Sequence, residues 1–402
     1  MTVWDITDRG FLPSSDPAPF LPNTNYKYSS LIYSLENLAV MLPAYLKERR
    51  VREEMVYALR ESSRFYDDWT RHDIGKPADF KGPPGFPIEG EDRETERAFL
   101  LYSYFASAYI HAPGEAPHYR VPKEIAVPLF LFADKLKRQP ILSYASYCLY
   151  NWNRIDPAGP IRMDNLKLLQ NFAGEDFKQD EDWFILIHVN IEADAGPAVS
   201  TLGHQYMPVE HNDEAGCNYT LTKVRDSLKK MNRTLARMPE KCRPDVYYQQ
   251  VRPYIFGFND VILECVEGDK RWTLRGETGA QSSIIPLFCA ALGIRHEDSM
   301  LTEHLKDMRK YMPERHRLFL AHMDDLCLEK NVNLRTAVAH NSSLKPLYNE
   351  CVESLASFRT KHLQYAIDYI QTKVDNPMGT GGTPYLPWLS QLREETLRHT
   401  IR

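Results

Sequence analysis

Apolar residues recur three and four positions apart along most of the chain. SSLIYSLENLAVMLPAYLKERRVREEMVYALR (29–60) and ETERAFLLYSYFASAYIHA (94–112) show the spacing clearly, and it is the signature of amphipathic helices. It also predicts helices over 123–137, 139–151, 163–172, 181–195, 218–237, 245–264, 278–294, 301–310, 313–329 and 344–373. Strand-like alternation is sparse. One polar stretch, CVEGDKRWTLRGE (265–277), has the composition of a hairpin turning at Glu267-Gly268-Asp269. No internal repeat is present, and the expected fold class is mainly α.

Proline and glycine punctuate this pattern. GKPADFKGPPGFPIEGED (75–92) is too rich in both to form a regular element. PGEAPHYRVP (113–122) reads as a linker, which sets a small N-terminal helical domain at 1–112 against a large helical domain at 123–402. Near the end, NPMGTGGTPYLPWLSQLREE (376–395) places a glycine-rich loop before a final short helix. Such a loop brings backbone N–H groups close to a ligand, or simply connects elements near a terminus.

Composition then removes whole classes of function. The chain has 402 residues, 43% of them hydrophobic, enough for a large core. With a net charge of −5 and no basic cluster, it lacks a nucleic-acid footprint. The longest apolar runs, IAVPLFLF and SSIIPLFCAALGI, fall short of the ~20 residues of a bilayer span, so no membrane partner is expected. MTVWDITDRG lacks the basic start and apolar stretch of a secretory signal. The seven cysteines are scattered, with no CxxC pair, so neither a disulfide framework nor a structural zinc site is indicated. A reducing compartment, the cytoplasm, is the expected location.

Candidate chemistry begins at SLASFRTKHLQYAIDYI (354–370), where His362 sits on the stripe through Leu355, Phe358, Ala366 and Ile370. A histidine there is either a core residue bonded to a carbonyl or a haem ligand whose porphyrin fills the apolar surroundings. Arg359, one turn earlier, requires an anion, either a haem propionate or a core carboxylate. In RGETGAQSSIIPLFCAALGI (275–294), Thr278, Ser282 and Ser283 can cap a helix, or the small residues can let a flat ligand approach the backbone. In DVYYQQVRPYIFGF (245–258), Tyr248, Arg252 and Ile255 share a helical face; Arg252 either clamps a carboxylate or snorkels at the surface. His188 interrupts the apolar run DWFILIHVNIEA (182–193).

Five segments considered together are more specific than any one motif. VPKEIAVPLFLFADKLKRQPILSYASYCLYNW (121–152), GETGAQSS, LKDMRKYMPERHRLFL (305–320), CVESLASFRTKHLQYAIDYI (351–370) and GTGGTPYLPWLSQLR (379–393) resemble, in the same order, the indoleamine 2,3-dioxygenase family. Members are helical haem enzymes that cleave the indole ring of tryptophan with O2. The resemblance implies haem b as cofactor, with His362 as the iron ligand, Arg359 near a propionate, and Thr278 and Gly279 above the haem plane. It implies L-tryptophan or a close indole derivative and O2 as small-molecule partners. Arg252 then holds the substrate carboxylate and Thr380 belongs to the loop closing over the amino acid. Tyr247 and Tyr248 lie over the substrate, and Tyr144, Tyr147, Cys148 and Ile255 line the indole pocket. The implied reaction inserts O2 across the indole C2–C3 bond to give N-formylkynurenine.

Three departures mark this chain. Anchoring the segment on Glu192 puts His188 at the distal, catalytic position, where animal members carry serine; a shift of one residue puts Ile187 there. A distal histidine is a feature of the separate tryptophan 2,3-dioxygenase branch. Tyr247–Tyr248 replaces a pair of phenylalanines, and Cys289 replaces an acidic residue of the proximal network. Two rival readings follow: a related haem enzyme of secondary metabolism that mono-oxygenates or rearranges a tryptophan derivative, and a non-enzymatic haem-binding or signalling protein.

Overall fold

The computed structural model describes residues 4, 6–17, 29–62, 92–112, 114, 118–204, 207–373, 379–380 and 385–402. Helices dominate: α1 (Ser29–Lys47), α2 (Val51–Ser62), α3 (Asp92–Ile110), α4 (Lys123–Lys135), α5 (Lys178–His204), α6 (Met207–Glu210), α7 (Glu214–Leu235), α8 (Pro244–Val246), α9 (Ile284–Ala291), α10 (Met300–Met308), α11 (Glu314–Asp324), α12 (Leu334–His340), α13 (Lys345–Tyr369) and α14 (Tyr385–Leu397). The fold is mainly α, as the periodicity predicts. Among the described residues no helix is long and apolar enough to cross a membrane. The stretch read as irregular, 75–92, lies outside the described residues except for Asp92.

α7 lies between α5 and α13, and α13 packs in turn against α14. Amide side chains tie these layers: Asn190 donates to Thr234 Oγ1 at 3.1 Å and Asn232 donates to the Ser354 carbonyl at 2.8 Å. α3 is buried along almost its whole length and packs on α1 and α4. Below it, Phe172 stacks between Tyr104 at 4.3 Å and Tyr254 at 4.6 Å. The buried apolar side chains form one cluster that runs across the linker expected at 113–122. Residues at the N-terminus lie against α11: the Trp4 ring is 5.5 Å from His322 and the Phe11 ring 4.7 Å from His316.

The strands are short. β1 (Arg120–Val121) pairs in parallel with β4 (Phe258–Leu263), which pairs antiparallel with β5 (Arg271–Leu274). β2 (Trp152–Arg154) pairs antiparallel with β3 (Leu166–Leu168). Four expectations are corrected here. The helix expected over 163–172 is a short turn followed by β3. The Asn165 side chain bonds the backbone of Asp156 in both directions, and the Asn151 side chain does the same for Gln170, which supplies the partners a helix would have supplied. The helix expected over 245–264 ends at Ile255, because Pro253 has no N–H to donate and Gly257 allows a close backbone crossing. The hairpin is real, but its first strand is β4, N-terminal to the span expected for it. In 139–151 only Ala145–Leu149 is helical, as a wide π turn; a second π turn covers Tyr247–Val251. Such turns concentrate at functional sites, and both lie at the site below.

Candidate active site

Glu192, on the inner face of α5, organises one wall. Its Oε1 accepts from the Tyr144 hydroxyl and from Ser282 Oγ, each at 2.8 Å. Gln281 completes the junction: its Oε1 accepts from the Tyr144 N–H at 2.9 Å and its Nε2 donates to the Gly276 carbonyl at 2.9 Å. The π turn at 145–149, α5 and the 276–283 loop are thereby locked together. Burial raises the Glu192 pKa to about 7, against the two hydrogen bonds that lower it. Tyr147 and Cys148 are fully buried behind Tyr144. The Tyr147 hydroxyl donates to Glu181 at 3.0 Å, and Glu181 also accepts from the Phe172 and Ala173 N–H groups.

His188 lies one turn before Glu192 on α5, so both project from one face. Its Nδ1 is 2.7 Å from the Phe184 carbonyl, which assigns the proton to Nδ1 and leaves Nε2 as an acceptor. Burial lowers its pKa, which keeps the ring neutral. The ring packs edge-on against Tyr144 at 6.0 Å and against Phe184 at 4.8 Å, and Phe184 reaches Tyr247 at 4.7 Å. Ile187, by contrast, has no exposure and points into the core, whereas His188 keeps accessible surface.

Arg252 is 5% exposed, so the snorkelling alternative does not apply. Its guanidinium lies 5.4 Å from the Tyr248 ring centroid and 4.6 Å from that of Phe256. Two glycines set the adjoining backbone. A Cβ on Gly257 would stand 2.3 Å from the Leu274 carbonyl oxygen, and one on Gly276 would stand 2.3 Å from that of Ile255. That crossing lets the Glu277 N–H donate to the Ile255 carbonyl at 3.0 Å. On the other side, Thr380 Oγ1 donates to the Glu277 carbonyl at 2.5 Å, which docks the start of the glycine-rich loop onto the same wall. The rest of that loop, 381–384, lies outside the described residues. Thr278 caps the following turn through the Ala280 N–H at 3.4 Å, and a Cβ on Gly279 would meet nothing within 4 Å.

The opposite wall is α13. His362 lies deep enough that burial lowers its pKa to about 4, with His188 and Arg359 lowering it further. Even so, the residue is exposed by its accessible surface. Both observations hold if the ring lines an internal cavity that it shares with His188. Among the described residues neither ring nitrogen has a hydrogen-bond partner. Arg359 donates to the Leu392 carbonyl at 2.7 Å, and its Nη2 lies 3.2 Å from both Cys289 Sγ and His296 Nε2. His296 Nδ1 is 2.5 Å from Glu395, so the tautomer runs Arg359 to His296 to the Glu395 carboxylate. Arg359 Nε is buried without a partner among the described residues.

This donor set suits a haem. A neutral, unbonded imidazole in an apolar helix face is an axial ligand needing no deprotonation. A buried cation beside it with one unused donor suits an acid side chain of the macrocycle, and the open space at Gly279 suits the flat face. Sequence reasoning singled out His188, His362, Arg252 and Thr380 as candidates but passed over Glu277 and Gln281. A charged residue and an amide beside a glycine in an otherwise apolar approach to a helix were the available signal.

Comparison with known proteins comes from sequence. The family model described as Indoleamine 2,3-dioxygenase matches residues 87–377, a span that encloses His188, Arg252, Arg359 and His362 and stops short of Thr380. The chain is similar to indoleamine 2,3-dioxygenase nanC of Aspergillus nanangensis, at 28% identity over 99% of this chain and 96% of that protein. It is 31% identical to indoleamine 2,3-dioxygenase 1 of Rattus norvegicus over 74% of this chain and 78% of that one. It is also 26% identical to 6-hydroxytryptophan 2,3-dioxygenase fscD of Fusarium equiseti, over 96% and 94% of the two chains.

Proposed function

The chain belongs to the indoleamine 2,3-dioxygenase family and is a haem-dependent dioxygenase, and from that premise we propose that it binds haem b through His362 and inserts both atoms of O2 across the C2–C3 bond of tryptophan or a close indole derivative. The product is the corresponding N-formylkynurenine. The observation that carries this reading is His362, a neutral imidazole with no hydrogen-bond partner among the described residues and close enough to His188 for that ring to act on its charge. When bound, the haem supplies activation of O2; the chain supplies orientation and polarity. Arg252 pairs with the substrate carboxylate, and the aromatic wall of Tyr144, Phe184 and Tyr247 holds the indole flat. His188 Nε2 accepts the indole N–H. All seven cysteines are free thiols, which supports a cytoplasmic setting. The test is anaerobic addition of an indole panel to ferrous protein, then O2 and product mass: a gain of two oxygen atoms supports the reading, and a gain of one favours the secondary-metabolism rival.

The His188 role has its own test. Methylation of the indole nitrogen leaves Nε2 unsatisfied, at a cost of about 1–3 kcal/mol. 1-Methyltryptophan is therefore a much poorer substrate than tryptophan for the native enzyme, and His188→Ala narrows that gap while slowing tryptophan turnover. Equal use of both substrates, unchanged in His188→Ala, would make His188 a core residue.

Thr380→Ala removes the hydroxyl that docks the loop on Glu277. The expected result is a raised KM for the amino acid with unchanged haem content, since the loop acts as a gate. Thr380→Ser retains the donor and restores the KM. Unaltered kinetics in Thr380→Ala would reduce the loop to a connector.

A further inference from the structure

Three buried carboxyls surround the pocket, and two of them, Glu181 and Glu192, are hydrogen-bonded to the protein, Glu192 through one oxygen only. Glu181 and Glu192 hold tyrosines and backbone in place through the hydrogen bonds described above. Glu277 differs. It is 3% exposed, yet among the described residues its side chain has no hydrogen-bond or ion-pair partner. A buried polar group in that condition is rare and points to a partner outside the chain. The glycine crossing at 257 and 276 explains the backbone here but not the choice of a glutamate.

Its location is set from three sides. The backbone N–H is bonded to Ile255 and the carbonyl to Thr380. The carboxyl acts through space on Tyr144, Tyr147 and Cys148, raising the pKa of each. Burial raises its own pKa to about 8. Gln281, which bonds both the Gly276 carbonyl and the Tyr144 N–H, holds this stretch of backbone against the Tyr144 wall, the side on which the proposed function lays the indole.

We propose that Glu277 is a specificity-determining residue whose carboxyl hydrogen-bonds a hydroxyl group on the benzo ring of the substrate, making a ring-hydroxylated tryptophan preferred over tryptophan itself. The inference rests on the dioxygenase reading for the orientation of the indole. A protonated carboxyl both donates to and accepts from such a hydroxyl, whereas the plain C–H edge of tryptophan leaves it unsatisfied. That asymmetry gives discrimination of the kind seen when a site built to bond a hydroxyl meets the analogue lacking it.

The test measures binding and product separately. Affinities of the haem-loaded protein for tryptophan and for 5-, 6- and 7-hydroxytryptophan are determined by calorimetry, for the native chain, Glu277→Gln and Glu277→Ala. At least one hydroxytryptophan binds about tenfold or more tightly than tryptophan in the native protein. The ratio falls to near one in Glu277→Ala and by a smaller factor in Glu277→Gln, which keeps the side-chain volume and preserves the test if the alanine variant fails to fold. A native ratio near one, or the same ratio in all three proteins, overturns the inference; the latter would mean that Glu277 meets the amino-acid end common to all four ligands. Conversion of tryptophan to N-formylkynurenine with a ratio near one leaves the dioxygenase reading standing and removes this one. A Glu277-dependent ratio without dioxygenated product does the reverse.

Discussion

His362→Ala yields folded protein that retains little or no haem. Among the described residues the imidazole has no hydrogen-bond partner, so its removal costs the fold no polar contact there. Its ring keeps accessible surface, so truncation leaves little of the cavity strain that buried large-to-small changes bring. The thermal midpoint of the haem-free variant should match that of the haem-free native chain. Haem content, by contrast, is expected to depend on the neutral nitrogen donor that α13 carries at His362. With its pKa near 4, His362 is unprotonated throughout the physiological range and competes with no proton for iron. The measurement is the Soret absorbance per mole of protein after reconstitution, with and without added imidazole. Near-complete loss, with partial recovery by imidazole, is expected. A full and unshifted Soret band would remove His362 as the ligand and the haem assignment with it.

Arg252→Ala loses about 30-fold or more in kcat/KM for the amino-acid substrate. Removing one partner of a buried, hydrogen-bonded charge pair costs about 2–5 kcal/mol, and each 1.36 kcal/mol is tenfold in rate. The site is well prepared for a carboxylate: the guanidinium is buried and held against the rings of Tyr248 and Phe256. Those ring contacts also contribute to stability, about 0.5–2 kcal/mol, so the thermal midpoint falls modestly as well. Substrate choice separates the two effects. Indoles without a carboxylate should lose far less than tryptophan does, and Arg252→Lys should not rescue, because an ammonium cannot make the planar bidentate pair. Equal losses for both substrate types would assign Arg252 to packing alone.

Local periodicity reached far into this fold because long helices bury a continuous stripe, and a stripe is written directly in residue spacing. That is why α3, α4, α5, α7 and α13 fall where apolar residues recur, and why His362 stood out as an imidazole on a face otherwise meant for burial. The spacing alone also placed Arg359 one turn before His362, and His188 one turn before Glu192. Resemblance then added chemical roles to these positions.

Other features depended on distant partners. The segments 163–172 and 245–264 carry helical spacing, yet the amides of Asn151 and Asn165, Pro253 and the Gly257–Gly276 crossing redirect their backbones. The choice between Ile187 and His188 was open along the sequence, since adjacent residues on a helix differ by a rotation of about 100° and only the packing of α5 on α7 determines which one faces the core. In the structure Ile187 is buried, whereas His188 keeps accessible surface and lies near enough to His362 to act on its charge. Glu277 makes the same point at the level of a single carboxyl. Its identity is plain in GETGAQSS, but that it has no partner among the described residues depends on where nearby groups are committed: Tyr144 to Glu192, Tyr147 to Glu181, and Thr380 to a backbone carbonyl. Spacing determines which residues share a face of one element, whereas the satisfaction of a buried polar group is a property of all the elements that meet around it.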